Sequence, residues 1–192
     1  MSSESESIKR CWPATDPLYI SYHDEEWGRP VRDERGLYER LCLEGFQSGI
    51  SWLTILRKRE HFRAAFAGFD PERVARFDDG DVERLLGDAG IVRHRGKIEA
   101  AIANARATLV LRESGTPLAG LVWEYRVDGP PSTEWFAQTA ASVELSKRLR
   151  KAGFRFVGPT TVYAAMQACG VVNDHRADCF VRDDVEQARR LS

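Results

Sequence analysis

The feature that most restricts the fold of this 192-residue chain is the segment 88–98, DAGIVRHRGKI, which separates two helical patterns. Before it, Val82, Leu85 and Leu86 have the one-sided spacing of a short helix, with Asp81 as a candidate N-cap. After it, apolar residues recur at helical spacing for about three turns, at Ile98, Ala101, Ile102, Ala105 and Leu109. The chain is therefore expected to reverse here as a helix, a tight turn and a second helix.

The turn within residues 88–98 contains two glycines and three cationic side chains. Gly90 is expected to adopt a positive φ, and Gly96 to let another backbone come close. Arg93, Arg95 and Lys97 add cationic side chains, and backbone N–H groups that open the second helix can point at an anion. Such a turn suits a DNA phosphate. An ordinary helical hairpin with a solvated basic turn is the alternative, and spacing alone does not separate the two.

Similar patterns elsewhere predict helices nearly throughout. Asp33 is a candidate cap for a helix bearing Leu37 and Leu41, and Asp70-Pro71 opens another. Further helices are expected after residue 51, from Ser142, and from residue 158 to a stop at Gly170. Residues 118–141 are expected to form a long irregular loop, and 154–157 an extended linker rather than a sheet strand. The predicted fold class is all-α.

Charge and hydropathy limit the functions open to this chain. A 43% hydrophobic content supports one domain over residues 11–192, with 1–10 as a disordered tail. The formal net charge of -1 excludes a protein that coats nucleic acid, so any DNA contact must be a local basic patch. The N-terminus lacks an apolar leader and no run is long enough to cross a membrane. We expect a cytoplasmic protein with no membrane partner.

Cysteine and histidine lie at the two ends of the chain. Cys11 and His23 precede the first strong helical pattern, while His175 and Cys179 follow the last apolar one. A His-x3-Cys step on a helical turn places both side chains on one face, and two residues from each end make a tetrahedral Cys2His2 set. We interpret it as structural zinc that joins the ends. Buried cysteines with surface histidines, or a disulfide between Cys11 and Cys179, are the alternatives.

Aromatic residues cluster with one acid. Tyr22 and Trp27 lie close in sequence, and Trp52 follows Glu44 within the segment 42–52. Rings that stack on a flat base, with a carboxylate to attract its positive charge, would make a pocket for an extruded cationic base. The same residues could instead be core aromatics and a solvated carboxylate.

Four segments, 16–28, 42–52, 88–98 and 166–175, closely resemble the DNA-3-methyladenine glycosylase I family. The resemblance runs in order from Cys11 to Cys179 and implies the helix-hairpin-helix glycosylase fold, with a zinc site joining the N- and C-terminal segments. It implies zinc ligands at Cys11, His23, His175 and Cys179. It also implies base recognition by Tyr22 and Glu44, stacking by Trp52, a pocket lined by Trp27 and Trp12, and a DNA wedge at Gly49 and Ile50.

Two positions depart from the family pattern. Cys11 and Trp12 are contiguous where the family usually has an intervening residue, which would displace Trp12. Phe46 stands where a polar residue is expected, which would alter the pocket rim.

The implied reaction is hydrolysis of the N-glycosidic bond of 3-methyladenine in alkylated double-stranded DNA, which leaves an abasic site. The base is already cationic, so no strong general acid is needed, and Glu44 is expected to act through hydrogen bonding and electrostatics. No pocket lysine is implied, so lyase activity is not expected. Partners would be DNA of any sequence and free 3-methyladenine as product, with the protein a monomer. The rival classes are a non-catalytic helix-hairpin-helix DNA-binding module and a zinc hydrolase.

Overall fold

The computed structural model describes residues 8–129 and 134–191, and every regular element within these ranges is helical. The elements in chain order are α1 (Pro17–Ser21), a π-helical turn (Tyr22–Glu26), α2 (Glu34–Gln47), α3 (Trp52–Ala65), a 3-10 turn (Ala67–Phe69), α4 (Pro71–Val74), α5 (Asp79–Gly87), α6 (Arg95–Glu113), α7 (Leu118–Trp123), α8 (Ala140–Lys151), α9 (Pro159–Ala168) and α10 (Arg182–Leu191). The all-α prediction is confirmed.

Local capping chemistry sets most helix starts. The Asp33 carboxylate accepts from the Gly36 N–H at 2.7 Å and opens α2, and Asp70 caps α4 ahead of a first-turn proline. For α5 the predicted cap is wrong by one turn. Asp78 is the N-cap, and Asp81 is its partner in a capping box.

Helix α2 is the centre of the packing, in contact with α3, α6, α7 and α9. Its apolar face is fully buried, and the Tyr38 hydroxyl donates to the Ala101 carbonyl of α6 at 2.9 Å. Cys42 and Cys169 are buried in this core, and burial raises the pKa of each thiol to about 12. Both thiols are therefore inert core groups.

Several expectations need correction. The region predicted as irregular loop holds α7, and α10 was not anticipated. Of the predicted tail, residues 1–7 lie outside the described ranges, whereas Arg10 is held by Asp24 and the Lys9 carbonyl accepts from the Phe180 N–H at 3.2 Å. Residues 154–157 form no strand, as expected. Among the described residues, no helix has the length and hydropathy needed to span a bilayer.

The end of α9 joins the C-terminal half to the segment that follows the π-helical turn. Gly170 stops the helix at a φ of 72°, and the preceding carbonyl, of Cys169, accepts from the Val31 N–H at 3.0 Å. A Cβ at Gly170 would collide with the Gly28 carbonyl oxygen. Only glycine satisfies both the conformation and the close approach.

Replacing this glycine is therefore expected to be costly. Gly170→Ala should lower the free energy of unfolding by more than the roughly 1–2 kcal/mol that a left-handed residue costs, because the backbone must also move. Gly115→Ala is the control, since Gly115 has a φ of 81° but no atom within 4 Å of its added Cβ. Urea unfolding of both variants measures the difference. Equal losses would contradict the packing argument.

Candidate active site and metal centre

A cavity of about 230 Å³ opens between the N-terminal segment, α2, the start of α3 and α9. All the residues predicted to surround a base line it, namely Trp12, Tyr22, Trp27, Glu44 and Trp52. The missing spacer residue therefore does not remove Trp12 from the pocket. Sequence reasoning missed the other lining residues, which are Tyr19, Gln47, Trp135, Ala164 and Gln167.

Aromatic rings form most of the pocket wall. The rings of Trp12 and Trp27 meet edge to face with centroids 4.9 Å apart, and those of Tyr22 and Trp52 lie 5.4 Å apart at 51°. The indole N–H groups of Trp12 and Trp52 are buried without a hydrogen-bond partner among the described residues. The pocket thus offers ring faces for stacking on a flat ligand.

Glu44 supplies the acid of this pocket from near the C-terminal end of α2. Its side chain is only 6% exposed, and burial raises its pKa to about 8 against the opposing effect of the Arg40 guanidinium. Arg40 cannot neutralise it fully, because it is paired with Glu26 at 2.9 Å. Burial therefore favours the protonated form of this carboxyl group near neutral pH, and a cation that enters the pocket would favour its ionised form.

A polar network lies on the α9 side of the cavity. The side-chain amide of Gln167 donates to Asp174 at 2.7 Å, and the Tyr163 hydroxyl donates to the same carboxylate oxygen at 2.5 Å. Because a carboxylate only accepts, the NH2 group of Gln167 must face Asp174, which leaves its carbonyl oxygen without a partner from Asp174. Gln167 lies in the segment 166–175 that resembles the family, but a single glutamine in a helix has no spacing pattern that marks it as a pocket residue.

The Cys and His side chains from both chain ends meet in one buried cluster. The ligating atoms of Cys11, His23, His175 and Cys179 all lie within 4.8 Å of one another. Sulfur-to-nitrogen distances are 3.3, 3.4 and 3.6 Å, close to the roughly 3.5 Å that tetrahedral metal–sulfur and metal–nitrogen bonds would set. The donor set fits a metal ion. His175 and Cys179 flank a turn at residues 177–178 and do not lie on a helix as the spacing suggested.

The remaining ring nitrogens of the cluster are also held. His23 Nδ1 lies 2.7 Å from Asp24, which Arg10 pairs in turn, and His175 Nε2 lies 3.0 Å from the Trp27 carbonyl. Such outer contacts fix the ring orientation of metal-binding histidines. The cluster also touches the pocket, since the ring centroids of Trp12 and His23 are 4.7 Å apart. Pocket and cluster therefore share one wall.

The turn between α5 and α6 differs from its predicted form. Gly90 has no positive φ, and is required because a Cβ there would lie 2.8 Å from the His61 ring. Next to Gly96 lie the rings of His94 and Phe156, not a backbone. His94, unassigned from sequence, caps α6 by accepting from the Lys97 N–H.

The cations of the turn also have different environments. Arg93 is exposed and makes no ion pair with any described residue, whereas Arg95 is paired with Glu83 at 2.5 Å. The expectation of a free cation at Lys97 is wrong. Its side chain is buried and donates to the carbonyls of Phe46 at 2.9 Å and Ser48 at 2.6 Å. Lys97 therefore anchors the end of α2 to α6.

The loop that Lys97 anchors carries the predicted wedge. Gly49 has a φ of 87° with open space around it, and Ile50 is exposed. Phe46 packs in the core with ring centroids 4.7 Å from Phe62, so the expected change of the pocket rim at this position is wrong.

These features define an all-helical protein with an aromatic, acid-bearing pocket able to hold a flat cationic ring. The family model described as methyladenine glycosylase matches residues 12–182, and the chain belongs to that family. DNA-3-methyladenine glycosylase 1 of Escherichia coli (strain K12) is 52% identical over 179 residues, which cover 90% of this chain and 96% of that protein. DNA-3-methyladenine glycosylase of Haemophilus influenzae is 42% identical over 177 residues, covering 88% and 96%.

Similarity to solved structures supports the same family assignment. A crystal structure of 3-methyladenine DNA glycosylase I superposes with a TM-score of 0.85 at 51% identity and covers 90% of this chain and 98% of its own. A structure of the Staphylococcus aureus enzyme, described as the structural basis of its 3-methyladenine recognition, has a TM-score of 0.83 at 35% identity and covers 88% and 93%. The resemblance inferred from the sequence segments is confirmed.

The raised pKa of Glu44 predicts a pH-dependent stability. The folded state keeps a proton that the unfolded state, with a pKa near 4.5, releases, so Glu44 lowers stability as pH rises from 4.5 to about 8. Glu44→Gln should gain free energy of unfolding relative to wild type across this window, as measured by denaturant unfolding at pH 5 and pH 8. Glu60→Gln, an exposed change, is the control. A gap independent of pH would contradict the assignment.

Proposed function

We propose that this protein is a monofunctional DNA glycosylase that hydrolyses the N-glycosidic bond of 3-methyladenine in alkylated DNA. The observation that carries the proposal is a buried carboxyl group, Glu44, in a cavity whose other walls are mainly indole and phenol rings. The names of the relatives at 52% and 42% identity support the same activity.

The charge of the damaged base explains why this pocket suffices. Methylation at N3 makes the base a cation, so cleavage of the bond to the sugar C1′ releases it as a neutral molecule. Water supplies the hydroxyl group that bonds to C1′, and its proton passes to solvent. Entry of the cation shifts Glu44 to the carboxylate, which attracts the ring and accepts from its amino group. Undamaged adenine is neutral and gains no comparable attraction.

Recognition of the ring falls to the residues around Glu44. Tyr22 offers a hydroxyl group, Trp52 stacks, and Trp12 and Trp27 close the pocket. The base must leave the duplex to reach them, at a cost of a few kcal/mol that stacking offsets.

Binding to double-stranded DNA would use two exposed features. In the helix-hairpin-helix role, the turn between α5 and α6 contacts phosphates through Arg93 and the backbone N–H groups that open α6. Gly49 and Ile50 enter the duplex as the wedge, on a loop held by Lys97. Lys97 thus acts by positioning, and Arg95 contributes less than Arg93 because Glu83 already pairs with it. One copy of the chain suffices, so we propose a cytoplasmic monomer.

Base release distinguishes this proposal from a non-catalytic DNA-binding module. Wild-type protein incubated with DNA that carries radiolabelled methyl groups should release 3-methyladenine. Glu44→Gln should lower kcat/KM roughly 100-fold or more, the size of effect seen when one preorganised polar group is lost, while Glu60→Gln keeps the wild-type rate. If wild-type protein binds DNA but releases no base, the protein is a non-catalytic DNA-binding module.

We also propose that Cys11, His23, His175 and Cys179 hold one structural Zn²⁺ per chain. Four protein ligands leave no position for water, so the ion would join the chain ends and supply no Lewis-acid step. This closed coordination distinguishes the proposed structural site from the catalytic site of a zinc hydrolase.

Metal analysis tests the assignment. Protein purified without chelator should contain close to one equivalent of zinc. Cys179→Ser should lose the metal and melt at a lower temperature, because the ion stabilises only the folded chain. Cys169→Ser removes a buried thiol outside the cluster and should keep the metal. Wild-type protein without any metal would refute the zinc site.

A further inference from the structure

Phe156 combines two properties that seldom occur together. It lies between α8 and α9 with a φ of 55°, a left-handed conformation that is unfavourable for a bulky residue. Its ring is nevertheless 40% exposed. Burial of the Phe156 ring itself therefore does not compensate for the strain, and such strain concentrates at functional positions.

Neighbouring residues impose this conformation from both sides. The buried Asn104 side chain accepts from the Arg155 N–H at 2.7 Å and donates to the Arg155 carbonyl at 3.1 Å. The buried Ser146 hydroxyl donates to the Val157 carbonyl at 2.6 Å. The backbone on each side of Phe156 is fixed by core residues, so its ring is presented to solvent in a preorganised position.

The position of Phe156 is next to the proposed DNA-contacting elements. A Cβ added at Gly45, the residue after Glu44, would lie 3.3 Å from the Phe156 Cβ. On its other side the ring meets His94, the cap of α6, with centroids 6.3 Å apart. Lys97 of the same helix holds the loop that leads to Ile50. Phe156 thus lies between the phosphate-contacting turn and the segment that carries the wedge.

We propose that Phe156 is a second DNA-contacting residue, which stacks on a nucleobase next to the lesion when the duplex is opened. The inference rests on the proposed glycosylase function. A nucleobase is the occupant that fits, because the ring adjoins the turn whose exposed Arg93 and α6 N–H groups suit phosphate. Rigid presentation means that little side-chain freedom is lost on stacking.

Binding measurements on three variants test this. Phe156→Gly removes the ring and accepts the left-handed conformation, so it should keep the fold. Its affinity for a duplex with a central abasic-site analogue should fall roughly 10-fold, within the range for loss of one stacked base, while its affinity for free 3-methyladenine stays unchanged. Phe156→Tyr keeps the ring and should bind duplex like wild type. Val110→Ala, an exposed apolar truncation in the last turn of α6, should change neither affinity.

Three results would overturn the proposal. Phe156→Gly could bind the duplex as tightly as wild type. It could lose affinity for duplex and free base in parallel, which would give Phe156 a structural role in the pocket. Wild-type protein could self-associate through the exposed ring, with the variant monomeric by sedimentation and unaltered in DNA binding. The proposed function is tested separately, since its failure appears as absent base release by wild-type protein.

Discussion

Two thiols and two imidazoles, buried within 4.8 Å of one another, hold residues 11–23 against residues 175–179. The pocket depends on this constraint, because three of its lining residues neighbour the cluster. Trp12 follows Cys11, Tyr22 precedes His23, and the Trp27 carbonyl contacts His175. A displacement of the cluster would therefore displace the rings that face Glu44. The same cluster therefore joins the two ends of the chain and shapes the pocket.

Cationic side chains serve mainly to fix the architecture. Lys97 satisfies two carbonyls after α2, Arg40 and Arg59 pair with Glu26, and the almost fully buried Arg189 donates to the Gly170 carbonyl at 2.7 Å. A chain with 28 lysines and arginines therefore has fewer free cations than its composition suggests. This is why its DNA-binding surface is proposed from a few positions such as Arg93 and not from overall charge.

Sequence rules for helix ends predicted the structural features that depend on short-range contacts. The caps at Asp33 and Asp70 and the glycine stop at Gly170 follow from short-range backbone and side-chain bonding, and they were read correctly. The pocket members were assigned by family resemblance, since spacing alone could not distinguish them from core aromatics. The sequence did not reveal that Lys97 is buried, because its position under the end of α2 depends on tertiary packing. Helix α10 is not evident from the sequence because few of its residues are apolar. The role of Gln167 is not evident because its contact with Asp174, seven residues away, depends on how the chain folds after α9.

The raised pKa of Glu44 also affects how the protein would meet undamaged DNA. Duplex DNA is a polyanion, and a permanent negative charge inside the pocket would oppose every encounter with it. An uncharged carboxyl group adds no such repulsion during the search along normal sequence. In the proposed mechanism, the negative charge arises when a cationic ring enters the pocket and Glu44 loses its proton. Discrimination would thereby be coupled to proton release, and Glu44 would add little electrostatic repulsion in encounters with undamaged DNA.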